Sequence, residues 1–177
     1  MNNTYSLGGW AIEKIMVYWI NQNIPKGSTI LELGSGYGTA SLVEKHKVYS
    51  VEQNLEWVNK IVGSNYIYAP LKNYGNYLWY DDSFIEKIKK IDYKLLLIDG
   101  PTEPSDWIDG KYDFIRNGIL ERINLFYNGS IIIVDDIERP EDLNLAKKLC
   151  SLLNKKSYNV GRNVLFMKGG KSFAIIK

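Results

Sequence analysis

Cysteine and histidine are scarce in this chain of 177 residues, which has one of each, Cys150 and His46. A single cysteine excludes an internal disulfide and a metal site built from several thiolates. His46 stands between lysines and is expected at the surface. No apolar run approaches the roughly 20 residues of a membrane-spanning helix, and Met1–Thr4 lacks the features of a signal peptide. We therefore expect a cytoplasmic protein without membrane contacts.

Neither positive nor negative charge predominates in the chain. The 22 basic and 20 acidic residues leave a formal charge of +2, which does not favour a nucleic-acid partner. Hydrophobic residues make up 45% of the chain, enough for an ordinary core. We predict a single domain over residues 1–177, with an N-terminal helix and lead-in over 1–28 and the core over 29–177.

Short apolar runs alternate with helix-like segments. Apolar residues at helical spacing predict a first helix over 9–22 and a last one over 141–155, and the tail, ending in Ser172–Ile176, is expected to be antiparallel. The alternation is typical of a parallel sheet covered on both faces, so we predict an α/β, doubly wound, mostly parallel sheet. The apolar runs are Ile30–Leu33, Val48–Val51, Tyr66–Tyr68, Tyr93–Ile98 and Ile131–Val134. The intervening helical segments are Thr39–Lys45, Leu55–Val62, Asp82–Lys89 and Lys111–Phe126.

Carboxylates follow most of these predicted strands. Right-handed crossovers place the carboxyl ends of parallel strands on one edge of the sheet, so residues distant in sequence converge there. The strand-end residues are Glu32 with the glycine loop after it, Glu52, Ala69-Pro70, Asp99-Gly100-Pro101 and Asp135-Asp136. The sequence therefore predicts an acidic pocket at this edge.

The first strand runs into a glycine-rich loop, Gly34 to Gly38, and then a predicted helix beginning at Thr39. Glycine permits positive φ and a close approach of a ligand, and the helix start would direct unpaired N–H groups into the same space. Glu52 suits the hydroxyls of a ribose, although it could also be a solvated glutamate at a strand end. Glu32 would repel a pyrophosphate and favour an ammonium or sulfonium. The loop therefore favours a cationic cofactor over a dinucleotide.

These motifs resemble those of the class I S-adenosylmethionine-dependent methyltransferases. Leu31 to Gly38 matches the first motif of that family, and Glu52, within Val48 to Trp57, matches the second. The residues from Tyr66 to Leu71, from Tyr93 to Pro101 and from Ile131 to Pro140 look like the strand ends that follow. The resemblance covers nearly the whole chain, and it implies a Rossmann-like fold with S-adenosyl-L-methionine as cofactor.

The resemblance also implies how the cofactor binds. Gly34, Ser35 and Gly36 would face its methionine part, Glu52 would hold its ribose, and 69–71 would edge its adenine. The N-terminal 6–9 would close over the methionine carboxylate, unless these small residues form only a helix N-cap. The cofactor-binding candidates are Gly9, Glu32, Gly34, Ser35, Gly36, Gly38, Thr39, Glu52, Gln53, Pro70, Leu71 and Asp99.

Three aspartates, Asp99, Asp135 and Asp136, close two strongly apolar strands. Carboxylates brought together in this way raise one another's pKa unless a cation joins them. Oxygen ligands suit Mg²⁺, Mn²⁺ or Ca²⁺. We therefore predict a divalent metal site at these residues; alternatively, Asp99 contacts the cofactor and Asp136 caps the turn before Pro140.

The aspartates resemble those of metal-dependent O-methyltransferases of the catechol and caffeoyl type, and the acidic pair is closer to that of their sugar-modifying relatives. This resemblance implies catalytic roles for Asp99 and Asp136. A bound divalent ion would lower the pKa of an acceptor hydroxyl. Thr102 departs from the catechol-type pattern, where a lysine is found three residues after the aspartate. Lys111 and Arg116 are available but cannot be placed, so no proton acceptor is assigned.

The predicted function is transfer of a methyl group to a hydroxyl of a small molecule or of a sugar or glycan precursor. Since the chain has no dedicated substrate domain, the substrate is small or a homodimer completes the site. Three alternatives stay open: a metal-independent methyltransferase of the same fold, an NAD-binding oxidoreductase or sensor, and a non-catalytic nucleotide-binding domain.

Overall fold

The computed structural model describes residues 12, 14–75, 77–102, 115–161 and 172–177. The strands are β1 (Thr29–Leu33), β2 (Lys47–Glu52), β3 (Ser64–Tyr68), β4 (Leu71–Asn73), β5 (Leu78–Tyr80), β6 (Leu95–Ile98), β7 (Ile131–Val134), β8 (Ser157–Gly161) and β9 (Ser172–Ile176). The α-helices are α1 (Lys14–Asn23), α2 (Thr39–Val43), α3 (Ile85–Ile88), α4 (Ile123–Phe126) and α5 (Pro140–Leu153), with 3₁₀ turns at Asp82–Phe84 and Ile115–Ile119. None of the helices within these ranges is long and apolar enough to cross a membrane.

Seven strands form one sheet in the order β3-β2-β1-β6-β7-β9-β8. The strands from β3 to β7 in this order are parallel, and β9 runs antiparallel to both of its neighbours. The predicted α/β fold, a mostly parallel sheet with an antiparallel strand at the C-terminus, is confirmed. β2 and β3 lie on one side of β1, whereas β6 and β7 lie on the other. The order of the strands therefore reverses between β1 and β6, and open α/β sheets bind ligands at such a switch point.

Both faces of the sheet are covered, which explains the continuous apolar runs. Because alternate residues of a strand point to opposite faces, Leu31 packs in one hydrophobic cluster and Ile30 in the other. The first cluster includes Leu145 of α5. The second includes Met16 and Ile20 of α1. β6 and β7 are apolar at every position, and the aspartates Asp99, Asp135 and Asp136 follow at their ends.

Several helical predictions were wrong. Residues 55–59 form turns, where Asn59 has a φ of 63° and the Asn54 side chain accepts a hydrogen bond from the Glu56 N–H; both features favour turns over helix. Residues 115–126 form a 3₁₀ turn and a four-residue helix instead of one helix. A short hairpin, β4 with β5, was not predicted.

His46 is buried, which also corrects the prediction. Its Nε2 lies 3.2 Å from Oδ1 of Asn21 at the end of α1. Burial lowers its pKa below the ordinary value. The helix α1 covers this position, and a helix that packs across a sheet is not visible from the residues next to His46 in sequence.

Candidate functional site

The ends of β1 and β6 approach each other at two glycines. Leu33 pairs with Ile98, so the residues that follow them lie side by side. Gly34 has a φ of +85°, and a Cβ built on it would lie 2.9 Å from both Cα and N of Gly100. The glycine at position 34 is therefore required by backbone conformation and by the contact between two chain segments. This contact places the glycine loop against Asp99.

Glu52 anchors the glycine loop. Its Oε2 accepts hydrogen bonds from the Ser35 N–H at 2.9 Å and from the Ser35 hydroxyl at 2.6 Å. Its Oε1 accepts one from the Asn54 N–H at 2.8 Å. Glu52 is only 4% exposed, so the alternative of a solvated glutamate is wrong. Each carboxylate oxygen has more than one acceptor position, which leaves capacity for a ligand hydroxyl.

Glu32 lies beneath the loop and is buried. Its carboxylate accepts hydrogen bonds from the Thr39 hydroxyl, at 2.9 Å and 3.1 Å for its two oxygens, and from the Ser50 hydroxyl at 2.7 Å. Thr39 in turn accepts a hydrogen bond from the Gly36 N–H at 3.1 Å. Burial raises the pKa of Glu32 to about 7. Glu32 thus ties β1 to α2 and β2, and it is not a fixed negative charge at neutral pH.

The three predicted aspartates come together. Asp99, Asp135 and Asp136 each present a carboxylate oxygen, and these oxygens lie within 4.8 Å of one another. Asp135 and Asp136 are buried, whereas the Asp99 side chain is 22% exposed. Asp136 has a φ of 57°, in the left-handed region that aspartate enters more readily than most residues. This turn directs the chain away from β7 immediately after the two carboxylates.

Arg116, which the sequence could not place, lies among these carboxylates with 6% of its side chain exposed. Its Nη1 donates to Asp142 at 2.9 Å. Its Nη2 lies 2.7 Å from the carbonyl oxygen of Asp99, 3.3 Å from Asp136 Oδ2 and 3.5 Å from Asp99 Oδ1. Burial alone would lower the pKa of Arg116, but the surrounding carboxylates outweigh burial and raise that pKa. The guanidinium therefore stays charged.

Two further charged residues complete this acidic cluster. Arg139 Nη2 lies 2.9 Å from Asp136 Oδ2, and its Nη1 lies 4.0 Å from Asp142 Oδ2. Burial raises the pKa of Asp142 to about 6 even though Arg116 opposes the shift. The converging oxygens of Asp99, Asp135 and Asp136 are an all-oxygen donor set, and such a set fits a hard divalent cation such as Mg²⁺ or Mn²⁺.

The remaining described candidates follow β1, β2 and β3 in sequence: Gly38, Gln53, Pro70 and Leu71. Gln53 donates a hydrogen bond to the Thr102 carbonyl oxygen at 2.9 Å, which links the segments after β2 and β6. A Cβ on Gly38 would collide with the Ile12 side chain. Pro70 is exposed and Leu71 begins β4. Gly9 lies outside the described residues.

Sequence reasoning left Arg116 unplaced and missed Asp142 as a member of the cluster. Arg139, next to the aspartate pair in sequence, was expected to orient a substrate or to form a surface ion pair, and it does pair with Asp136. Asp142 lies in the first turn of α5, where an acidic residue is ordinarily explained by the helix dipole. Arg116 lies in a 3₁₀ turn that is distant in sequence from the aspartates it contacts. Neither position carries a local signal for a role in a site.

No protein-family model matches this chain, and no curated protein matches it either. Solved structures match its fold. An O-methyltransferase from Bacillus cereus in complex with SAH has a TM-score of 0.56 at 12% identity, over 97% of this chain and 84% of that one. The methyltransferase domain of bacterial CtHen1 has a TM-score of 0.58 at 9% identity, over 92% and 95%.

A spermidine synthase in complex with the transition-state analogue AdoDATO has a TM-score of 0.53 at 10% identity, over 86% of this chain and 55% of that one. At these identities the likeness concerns the fold. The chain has the fold of the class I S-adenosylmethionine-dependent methyltransferases. Because a synthase shares this fold, the fold by itself does not select methyl transfer.

Proposed function

We propose that this protein is an S-adenosylmethionine-dependent methyltransferase that acts on a hydroxyl oxygen of a small molecule or of a sugar or glycan precursor. One observation carries the proposal: the loop anchored by Glu52 meets three aspartates at the carboxyl edge of a sheet with the methyltransferase fold. The SAH held by the Bacillus cereus neighbour supports S-adenosyl-L-methionine as the methyl donor.

The proposed donor site extends along the edge from Asp99 to β3. Glu52 would accept hydrogen bonds from the ribose hydroxyls while keeping its bonds to Ser35. Gly34 and Gly36 would border the methionine part, and Gln53, Pro70 and Leu71 would border the adenine. Glu32, Gly38 and Thr39 would lie beneath the glycine loop and stabilise its conformation. The acidic rim favours a sulfonium because opposite charges attract strongly where water is scarce.

Asp99, Asp135 and Asp136 would hold a divalent ion, Mg²⁺ or Mn²⁺. When bound, such an ion lowers the pKa of an acceptor hydroxyl and so makes it a better nucleophile. Asp99 is the most exposed of the three aspartates, and we assign it to contact with the acceptor. Asp136, fixed by Arg116 and Arg139, would keep the acceptor in line with the methyl group, since alignment supplies much of the rate in such a transfer.

A metal-independent methyltransferase is the second candidate. The observation in its favour is the Arg116 guanidinium, which already lies 3.3 Å from Asp136 and 3.5 Å from Asp99. A positive charge at this position would stabilise ionised aspartates without a metal. In that case one of the aspartates would accept the proton of the acceptor hydroxyl.

Donor binding is the first test. We expect calorimetry to show micromolar binding of S-adenosylhomocysteine, about −8 kcal/mol at 1 μM, and no binding of NAD. The variant Glu52→Ala should bind S-adenosylhomocysteine at least about tenfold more weakly, since it loses the ribose acceptor and the anchor of Ser35. Binding of NAD in place of S-adenosylhomocysteine would favour the oxidoreductase or sensor. Binding of neither would refute the methyl-donor site.

Chelation separates the two methyltransferase candidates. Transfer of labelled methyl from S-adenosylmethionine into a small-molecule extract should stop after treatment with EDTA and resume when Mg²⁺ or Mn²⁺ is added. If turnover continues unchanged in EDTA, the metal-independent candidate is correct. Asp135→Asn is the matched variant, because it removes one proposed ligand charge at nearly constant volume.

A further inference from the structure

A buried guanidinium, that of Arg116, lies among the proposed metal ligands. Arg116 has two short contacts, to Asp142 Oδ1 at 2.9 Å and to the Asp99 carbonyl oxygen at 2.7 Å. Its contacts to the carboxylate oxygens of Asp136 and Asp99 are longer, at 3.3 Å and 3.5 Å. The two short contacts thus hold the guanidinium on one side of the cluster. Its Nη2 lies within 3.5 Å of the carboxylate oxygens that would hold a metal.

We propose that Arg116 is a built-in counter-ion that competes with a divalent cation for Asp99 and Asp136. The inference rests on the metal-assisted form of the proposed function. Without metal, Arg116 offsets the repulsion between these carboxylates and keeps them together. With metal, the same positive charge opposes the incoming ion. Arg116 is therefore a positioning residue that sets how tightly the cluster holds a metal.

Burial explains why Arg116 has this role and Arg139 does not. The Arg139 side chain is 43% exposed, so solvent and salt screen its charge. The Arg116 side chain is 6% exposed, and charges act over longer distances where the local dielectric is low. Asp142, fully buried beside it, holds Nη1 on its own side of the cluster, and Nη2 approaches the carboxylate oxygens of Asp99 and Asp136.

The test measures Mn²⁺ binding to the full chain, with the metal alone, by electron paramagnetic resonance at pH 8. We expect Arg116→Gln to bind one Mn²⁺ at least about tenfold more tightly than the wild type, about 1.4 kcal/mol. Arg116→Lys, which retains the charge, should keep the weak wild-type affinity. The matched control is Arg122→Gln: Arg122 is also buried, but it pairs with Asp82 outside the cluster, so Mn²⁺ affinity should not change.

Folded Arg116→Gln that binds Mn²⁺ no more tightly than the wild type would overturn the proposal. If that variant does not fold, Asp142→Asn replaces it. Loss of the anchoring carboxylate should free Arg116 to move fully onto Asp99 and Asp136 and weaken Mn²⁺ binding; equal or tighter binding would count against the proposal. Calorimetry with S-adenosylhomocysteine on the same samples tests the donor site separately. Samples that do not bind S-adenosylhomocysteine but show the expected Mn²⁺ affinities would refute the donor site and still support competition by Arg116.

Discussion

Replacing Gly34 with alanine is expected to lower the free energy of unfolding by about 2 to 5 kcal/mol and to abolish donor binding. Two costs add. The φ of +85° is unfavourable for any residue with a Cβ, and that Cβ would lie 2.9 Å from the backbone of Gly100. Backbone atoms cannot rotate away as a side chain can, so β1 and β6 must separate. Separation moves Asp99 away from the loop that Glu52 anchors.

The chain offers a matched control for the conformational cost. Gly129 has a φ of +86°, and a Cβ there would have no atom within 4 Å. Gly129→Ala should therefore cost only about 1 to 2 kcal/mol, the price of left-handed backbone alone. Urea denaturation of both variants, with calorimetry using S-adenosylhomocysteine, gives the comparison. Equal losses for the two variants would show that the contact between Gly34 and Gly100 contributes nothing.

Replacing Glu32 with glutamine should change how stability depends on pH. The pKa of Glu32 is raised from its ordinary value of 4.5 to about 7 in the folded protein because the carboxyl is buried. The folded state therefore holds this proton more tightly than the unfolded state does. The resulting stabilisation is complete below pH 4.5 and is lost as the pH rises to about 7. Glutamine cannot titrate, so the variant lacks this loss.

The difference in unfolding free energy, variant minus wild type, should rise by about 2 to 3 kcal/mol between pH 5 and pH 8. Taking the difference cancels groups that titrate in both proteins, such as Asp142. Ser50→Ala gives a second check: the Ser50 hydroxyl lowers the pKa of Glu32, so its removal should extend the loss of stability to higher pH. A difference that stays constant with pH would mean that Glu32 is ionised throughout.

Much of the fold could be predicted from short apolar runs. Residues 95–98 and 131–134 are apolar at almost every position because helices cover both faces of the sheet. The alternation of such runs with helices indicated a parallel sheet, and parallel strands put their carboxyl ends on one edge. The convergence of Asp99, Asp135 and Asp136 follows from that topology.

The reasons behind the glycine motif were only partly visible. Positive φ at Gly34 was expected, but its contact with Gly100 depends on how closely β1 and β6 pack. Likewise, position 38 requires glycine because the Ile12 side chain lies against it. Both partners are distant in sequence, so spacing alone could not reveal them. The helix α2 ends at Val43, two residues before the end of the predicted helix Thr39–Lys45.

By itself, the sequence determined the class of fold, the order of the motifs and the acidic character of one sheet edge, because these depend on local patterning and on the handedness of chain crossovers. Only the tertiary structure decided which charges balance one another. Arg116 reaches Asp99, Asp136 and Asp142 from a separate segment, and burial raises the pKa of Glu32. Charge balance and burial depend on distances in space, which residue spacing along the chain does not contain.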